Sequence, residues 1–306
     1  MTNTLSGVFA AVLTRLGADG APDSQATARH CRWLLANGCD GLSVLGTTGE
    51  ANSLTVDERL ALLDGLAEAG IPGETLMPGV GCCALPDTIT LARRAVEHGA
   101  GGVLMLPPFY YKNVGDDGLF AAFSEVIEAV GDQRLRVYVY HFPQMSGVPL
   151  PESLISRLLT RYPGTVAGMK DSSGDLDNMV SVARAFPGFA VFSGSDELFW
   201  PLLQAGGAGC ITAVSNVAAQ QANMVWSAHG RGDVAAADLA HGKLSAVRRA
   251  IAAYPLTAAL KAIMARGSGD ADWLRIRPPL MPLAEADAGA LADALAGLGF
   301  SLPPLP

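Results

Sequence analysis

The sequence predicts a (β/α)8 barrel with a C-terminal helical extension. Eight short apolar runs recur along the first two thirds of the chain, at 8–13, 41–45, 75–80, 102–106, 135–140, 165–169, 189–192 and 209–213. Between them lie segments of helical period, at 24–37, 56–69, 86–98, 117–130, 151–162, 176–185 and 197–205. Strand then helix, repeated this regularly, means parallel strands joined by right-handed crossovers. Eight such units favour a closed barrel over an open doubly wound sheet. No GxGxxG follows the first run, so a dinucleotide-binding sheet is disfavoured.

Local signals agree with this alternation. Gly38, Gly70, Gly99, Gly131, Gly164, Gly188 and Gly206 follow the helical segments, where a left-handed residue ends a helix. Pro86 and Pro151 fit first-turn positions. From about Asn216 the strand signals stop, and 220–229, 234–253, 256–266 and 284–296 read as helices. The expected division is a catalytic barrel over 1–215 and a helical region over 216–306 packed on it. The Pro303-Pro304-Leu305-Pro306 tail reads as a frayed end.

Half of the 306 residues are hydrophobic, enough for a large core. A net charge of −8 argues against a nucleic-acid surface. Five cysteines, two of them adjacent, form neither a disulfide framework nor a zinc spacing, and read as free thiols. No signal peptide and no membrane-spanning run is apparent, so a cytoplasmic protein is expected. No metal or cofactor is expected, since no cluster has metal-ligand spacing.

In such a barrel the chemistry lies where strands end. Lys170 closes the sixth run, and of the four lysines it alone ends an apolar strand-like segment. Desolvation disfavours a charged amine, and a free amine beside a carbonyl makes a Schiff base. A lysine that snorkels outward and pairs with Asp171 is an equal reading at this point. Gly46-Thr47-Thr48-Gly49-Glu50, after the second run, offers two hydroxyls and exposed N–H groups that suit a carboxylate. Tyr140 and His141 end the fifth run, as a phenol for proton relay and an imidazole to orient it. Asp196 and Glu197, after the seventh, suit a helix N-terminus or substrate hydroxyls. His30, His98, His229 and His241 read as structural or surface residues.

Three motifs, in their order and strand placement, resemble the dihydrodipicolinate synthase / N-acetylneuraminate lyase family. They are Gly46-Thr47-Thr48-Gly49-Glu50, Tyr140-x-x-Pro143 and Gly168-Met169-Lys170-Asp171-Ser172-Ser173-Gly174. The Pro-Phe-Tyr-Tyr segment at 108–111 and Arg277-Pro278-Pro279-Leu280 match as well, so the resemblance spans essentially the whole chain. It implies a TIM barrel with C-terminal helices, usually a homotetramer. It implies class I lyase or aldolase chemistry, in which a lysine forms a Schiff base with a 2-oxo acid, commonly pyruvate. On this chain Lys170 would be that lysine, Tyr140 the proton-shuttling phenol, and Thr47 and Thr48 the carboxylate holders. Thr47 would share in the proton relay, and Tyr110 would complete it from a neighbouring subunit.

Departures from the family pattern narrow the function. Synthases of the lysine pathway carry an arginine two residues after the Tyr-x-x-Pro proline, where this chain has Met145. Without a guanidinium a dicarboxylate aldehyde loses its anchor. The Ser146-Gly147-Val148 segment and Gly194-x-Asp196-Glu197 look more like the lyase branch. Ala213 stands where sialic acid lyases have a serine, and His141 replaces an asparagine. The resemblance therefore implies reversible cleavage of a 2-keto-3-deoxy sugar acid to pyruvate and an aldehyde. Gly46, His141, Gln144, Gly194, Asp196, Glu197 and Ser215 are the candidate substrate contacts. The alternatives are a Schiff-base dehydratase or deaminase of a 2-oxo sugar acid or a hydroxyproline-derived imine, dihydrodipicolinate synthase, and N-acetylneuraminate lyase.

Overall fold

The structure, a computed structural model, describes residues 4–305. Its elements run in order β1 (Gly7–Ala11), α1 (Ser24–Ala36), β2 (Gly41–Ser43), α2 (Val56–Glu68), α3 (Leu85–Glu97), β3 (Val103–Met105), α4 (Asp116–Val130) and β4 (Val137–His141). Then come α5 (Pro143–Ser146), α6 (Glu152–Arg161), β5 (Val166–Asp171), α7 (Leu176–Ala185), β6 (Ala190–Ser193), α8 (Asp196–Gln204) and β7 (Gly209–Thr212). Four further helices follow: α9 (Ser215–Gly230), α10 (Val234–Ala252), α11 (Leu256–Ser268) and α12 (Glu285–Gly297). The strands form one sheet in the order β2-β1-β7-β6-β5-β4-β3. Its β1–β2, β3–β4, β4–β5, β5–β6 and β6–β7 pairs are parallel. The fold is a (β/α)8 TIM barrel with C-terminal helices.

The third apolar run does not become a regular strand. A 3-10 turn occupies Gly73–Thr75, and a single bridge joins Gly79 to Leu104. Pro78 explains the shortfall. Its carbonyl accepts from Leu104 N at 2.8 Å, but it has no N–H to return to a ladder.

Helix boundaries follow capping chemistry. Asp23 caps α1 by accepting from Ala26 N at 2.9 Å. Thr55 and Glu58 form a reciprocal capping box at α2. All seven glycines assigned to helix ends take positive φ, and Gly131 at φ 65° closes α4. The 220–229 helix starts earlier than its period suggests, at Ser215, with a kink at Ala218.

The chain divides into two compact units, one of residues 4–6 with Pro72–Cys210, the other of Gly7–Ile71 with 211–305. In the first, Tyr138 is fully buried, its ring edge-on to Phe192 at 5.9 Å, and its hydroxyl accepts from Leu5 N. In the second, Asn216 joins β1 to α9. Its Nδ2 donates to Ala11 O and Ala213 O, and its Oδ1 accepts from Leu13 N. The proline-rich tail is fastened rather than frayed as far as residue 305. Trp33 Nε1 donates to Pro304 O at 2.8 Å, and Leu302 and Leu305 lie against Gly267. Four cysteines are buried free thiols and Cys83 is an exposed one. Among the described residues no helix is long and apolar enough to cross a membrane.

Candidate active site

Tyr140 and Lys170 are the penultimate residues of β4 and β5, paired in register on adjacent parallel strands. Paired residues point to the same face of a sheet, so phenol and amine project together. Lys170 is 6% exposed and Tyr140 5%. The Lys170 Nζ stands 4.5 Å from the Tyr140 ring centroid. Phe142 also stacks on that ring, with centroids 5.7 Å apart. Neither the amine nor the phenol hydroxyl has a hydrogen-bond partner among the described residues.

The outward-snorkelling alternative fails on Asp171. That carboxylate is fully buried on the opposite face of β5 and is already satisfied. Ser173 N and Asn178 Nδ2 each donate to it at 2.7 Å. Lys170 therefore keeps its amine without a carboxylate partner.

His141 lies on the other face of β4 from Tyr140, in register with Asp171. Its Nδ1 accepts from Leu150 N at 3.1 Å, and burial holds its pKa below the usual imidazole value against the pull of Asp171 and Asp175. Gln144 is exposed in the one-turn helix α5, and its Nε2 donates to Ser173 O at 2.5 Å, joining the loops after β4 and β5. Gly194 N donates to Asp171 O at 2.7 Å. A side chain at Gly194 would run into Ser172 Oγ, so this close loop contact requires glycine. Asp196 is buried and Glu197 half-buried in the first turn of α8. Tyr110 is 74% exposed, its ring edge-on to Tyr111, and among the described residues it makes no hydrogen bond or ring contact with Tyr140 or Lys170. Lys112, unremarked in the sequence, ties that loop to α5 by donating to Phe109 O and, at 2.6 Å, to Ser146 O.

In the second unit, Thr47 is exposed and Thr48 buried in the turn after β2. Their hydroxyls and N–H groups have no partner among the described residues. Gly46 O and Thr47 O accept from Ala51 N and Glu50 N, which closes the turn on itself. A Cβ at Gly49 would stand 2.8 Å from Val12 O. Behind the turn lies a cluster that sequence reasoning missed. The Glu50 carboxylate pairs with Lys261 Nζ and accepts from Arg277 N at 2.9 Å. The Arg277 guanidinium bonds Glu58, which pulls that carboxyl down to about 2. Ser215 is fully buried, with its Oγ 2.7 Å from Thr212 Oγ1.

Residues 4–297 match the dihydrodipicolinate synthetase family. The chain belongs to that family. It is 37% identical to a DapA-like lyase of Chloroflexus aurantiacus, over 94% of this chain and 95% of that one. It resembles the crystal structure of dihydrodipicolinate synthase from Agrobacterium tumefaciens, with a TM-score of 0.87 at 32% identity, over 95% of this chain and 99% of that one. It also resembles YagE, a prophage protein of Escherichia coli belonging to the same family and solved in complex with pyruvate. There the TM-score is 0.89 at 28% identity, over 97% and 99% of the two chains. This family member is an enzyme of the lyase type.

Proposed function

We propose that the protein is a class I aldolase that binds pyruvate as a Schiff base on Lys170 and reversibly cleaves a 2-keto-3-deoxy sugar acid to pyruvate and an aldehyde. The observation that carries this reading is the buried Lys170 amine, without an acceptor among the described residues and 4.5 Å from the Tyr140 ring centroid.

The chemistry follows from that pair. The amine adds to the C2 ketone and gives a carbinolamine. Tyr140 donates its proton to the departing hydroxyl, which leaves as water, and a protonated imine remains. The Tyr140 phenolate then takes the C4 hydroxyl proton as the C3–C4 bond breaks. The bonding electrons move into the imine, giving an enamine and releasing the aldehyde. Tyr140 returns the proton to C3, and water hydrolyses the protonated imine to pyruvate and the free amine, the released proton restoring the Tyr140 phenol. Thr47 and Thr48 are assigned the 2-oxo acid carboxylate. That role rests on the family resemblance and on donors that have no partner among the described residues. A sugar acid is favoured over a dicarboxylate aldehyde because position 145 is a methionine, 60% exposed, rather than a guanidinium.

Incubation with pyruvate, reduction with borohydride and mass analysis test the mechanism. An adduct on Lys170 is expected, and an unmodified Lys170 overturns the Schiff base. Product analysis with keto-deoxy sugar acids then tests the reaction. Pyruvate with an aldehyde supports cleavage, whereas a dehydrated oxo acid replaces it with a dehydratase. Turnover of aspartate semialdehyde restores the synthase reading.

A further inference from the structure

The Gly46–Glu50 turn is held in an unusual backbone shape. Leu45 and Glu50, which flank its central residues, both lie in the left-handed region, at φ 57° and 59°. Non-glycine residues persist there only where their surroundings over-determine them.

Glu50 is where those surroundings converge. Its side chain is fully buried, with one oxygen on Lys261 Nζ and the other accepting from Arg277 N. Lys261 is equally buried in α11, and its Nζ also donates to Arg275 O at 2.6 Å. The Arg277 guanidinium is anchored in turn by Glu58, by Ser53 O at 2.7 Å and by Gly20 O at 2.8 Å. From the other side, Thr14 Oγ1 donates to Gly49 O at 2.7 Å. Among the described residues, the hydroxyls and N–H groups of Thr47 and Thr48 have no partner, and neither do the N–H groups of Gly46 and Gly49.

We propose that Lys261 is a positioning residue for substrate, which through Glu50 aims the Thr47–Thr48 donors at the carboxylate of the 2-oxo acid. This rests on the reading that those donors bind that carboxylate. A buried ion pair is weak evidence for stability in itself, and a specific geometry is the better-supported use for one. Here the geometry served is a turn whose free donors suit an anion.

The test compares two ketones, pyruvate and acetone, which share the carbonyl but differ in the carboxylate. Each is titrated against the enzyme with borohydride trapping at Lys170. In Lys261→Met the pyruvate concentration for half-maximal trapping should rise at least roughly tenfold, as expected for misplaced binding groups. Acetone trapping should stay as in the wild type. Glu50→Gln should give the same split, and it serves if Lys261→Met does not fold. Equal losses on both ketones, or an unchanged pyruvate titration, overturn the proposal. The underlying reading is checked separately with Thr48→Val in the wild-type background. If that variant leaves pyruvate trapping unchanged, or the wild type forms no adduct, the carboxylate assignment fails first and the role of Lys261 falls with it.

Discussion

Two lysines are buried in this protein, and their surroundings are opposite. Lys261 in α11 meets the Glu50 carboxylate and a backbone carbonyl. Lys170 at the end of β5 meets the face of the Tyr140 ring and, among the described residues, no acceptor. An ammonium held between acceptors is a fastener, as Lys261 is between Glu50 and Arg275 O. An amine without acceptors among the described residues suits the nucleophilic role proposed for Lys170. Burial alone therefore does not distinguish the two lysines, and their acceptors do.

Replacing each lysine by methionine should separate the two roles most sharply. Lys170→Met removes the proposed nucleophile, so the pyruvate adduct should vanish and turnover should fall by at least roughly 10⁴-fold. Its thermal midpoint should hold or rise, because an unpaired amine is exchanged for an apolar chain of similar length. Lys261→Met should do the reverse to stability. It leaves the Glu50 carboxylate buried without its cation, a loss of about 3–5 kcal/mol in denaturant unfolding. Equal stability losses in the two variants would break the comparison.

The ring and the hydroxyl of Tyr140 can be separated next. Tyr140→Phe keeps the aromatic face against the amine and the stack on Phe142. The borohydride adduct should still form, more slowly, while steady-state cleavage falls by about 10²–10⁴-fold, the usual worth of a positioned proton-transfer group. Full activity in this variant would move the proton shuttle to another residue.

The difference between the lysines also shows what a sequence can and cannot reveal. The positions of Lys170 and Tyr140 at adjacent strand ends were legible, because a charged residue ended a local apolar run and one βα unit separates the two. Helix positions were legible to a few residues for the same local reason. Lys261 and Glu50 lie 211 residues apart, and no local period connects them. Asn216 was read only as the point where strands stop, although it joins Leu13, Ala11 and Ala213. Pro78 was hidden inside an apolar run whose hydropathy outweighed its missing N–H. The tail misread has the same origin, since Pro304 gains order from a tryptophan 271 residues away.

His30 extends the comparison to a third buried base, with a smaller expected effect. Asn216 spends its amide protons on Ala11 O and Ala213 O, so its Oδ1 is an acceptor and His30 Nε2 donates to it at 3.0 Å. The other ring nitrogen, Nδ1, has no partner among the described residues. Burial pushes the His30 pKa from 6.5 down to about 4, against the Asn216 hydrogen bond. The unfolded chain thus binds a proton between pH 6.5 and 4 that the folded protein does not. The neutral imidazole's stability is complete above pH 6.5 and is lost as pH falls towards 4, by about 3 kcal/mol. His30→Gln retains a donor for Asn216 but cannot titrate. Denaturant midpoints from pH 7 to 4 should therefore fall more steeply in the wild type than in His30→Gln, and parallel slopes would show that His30 takes up its proton without leaving the fold.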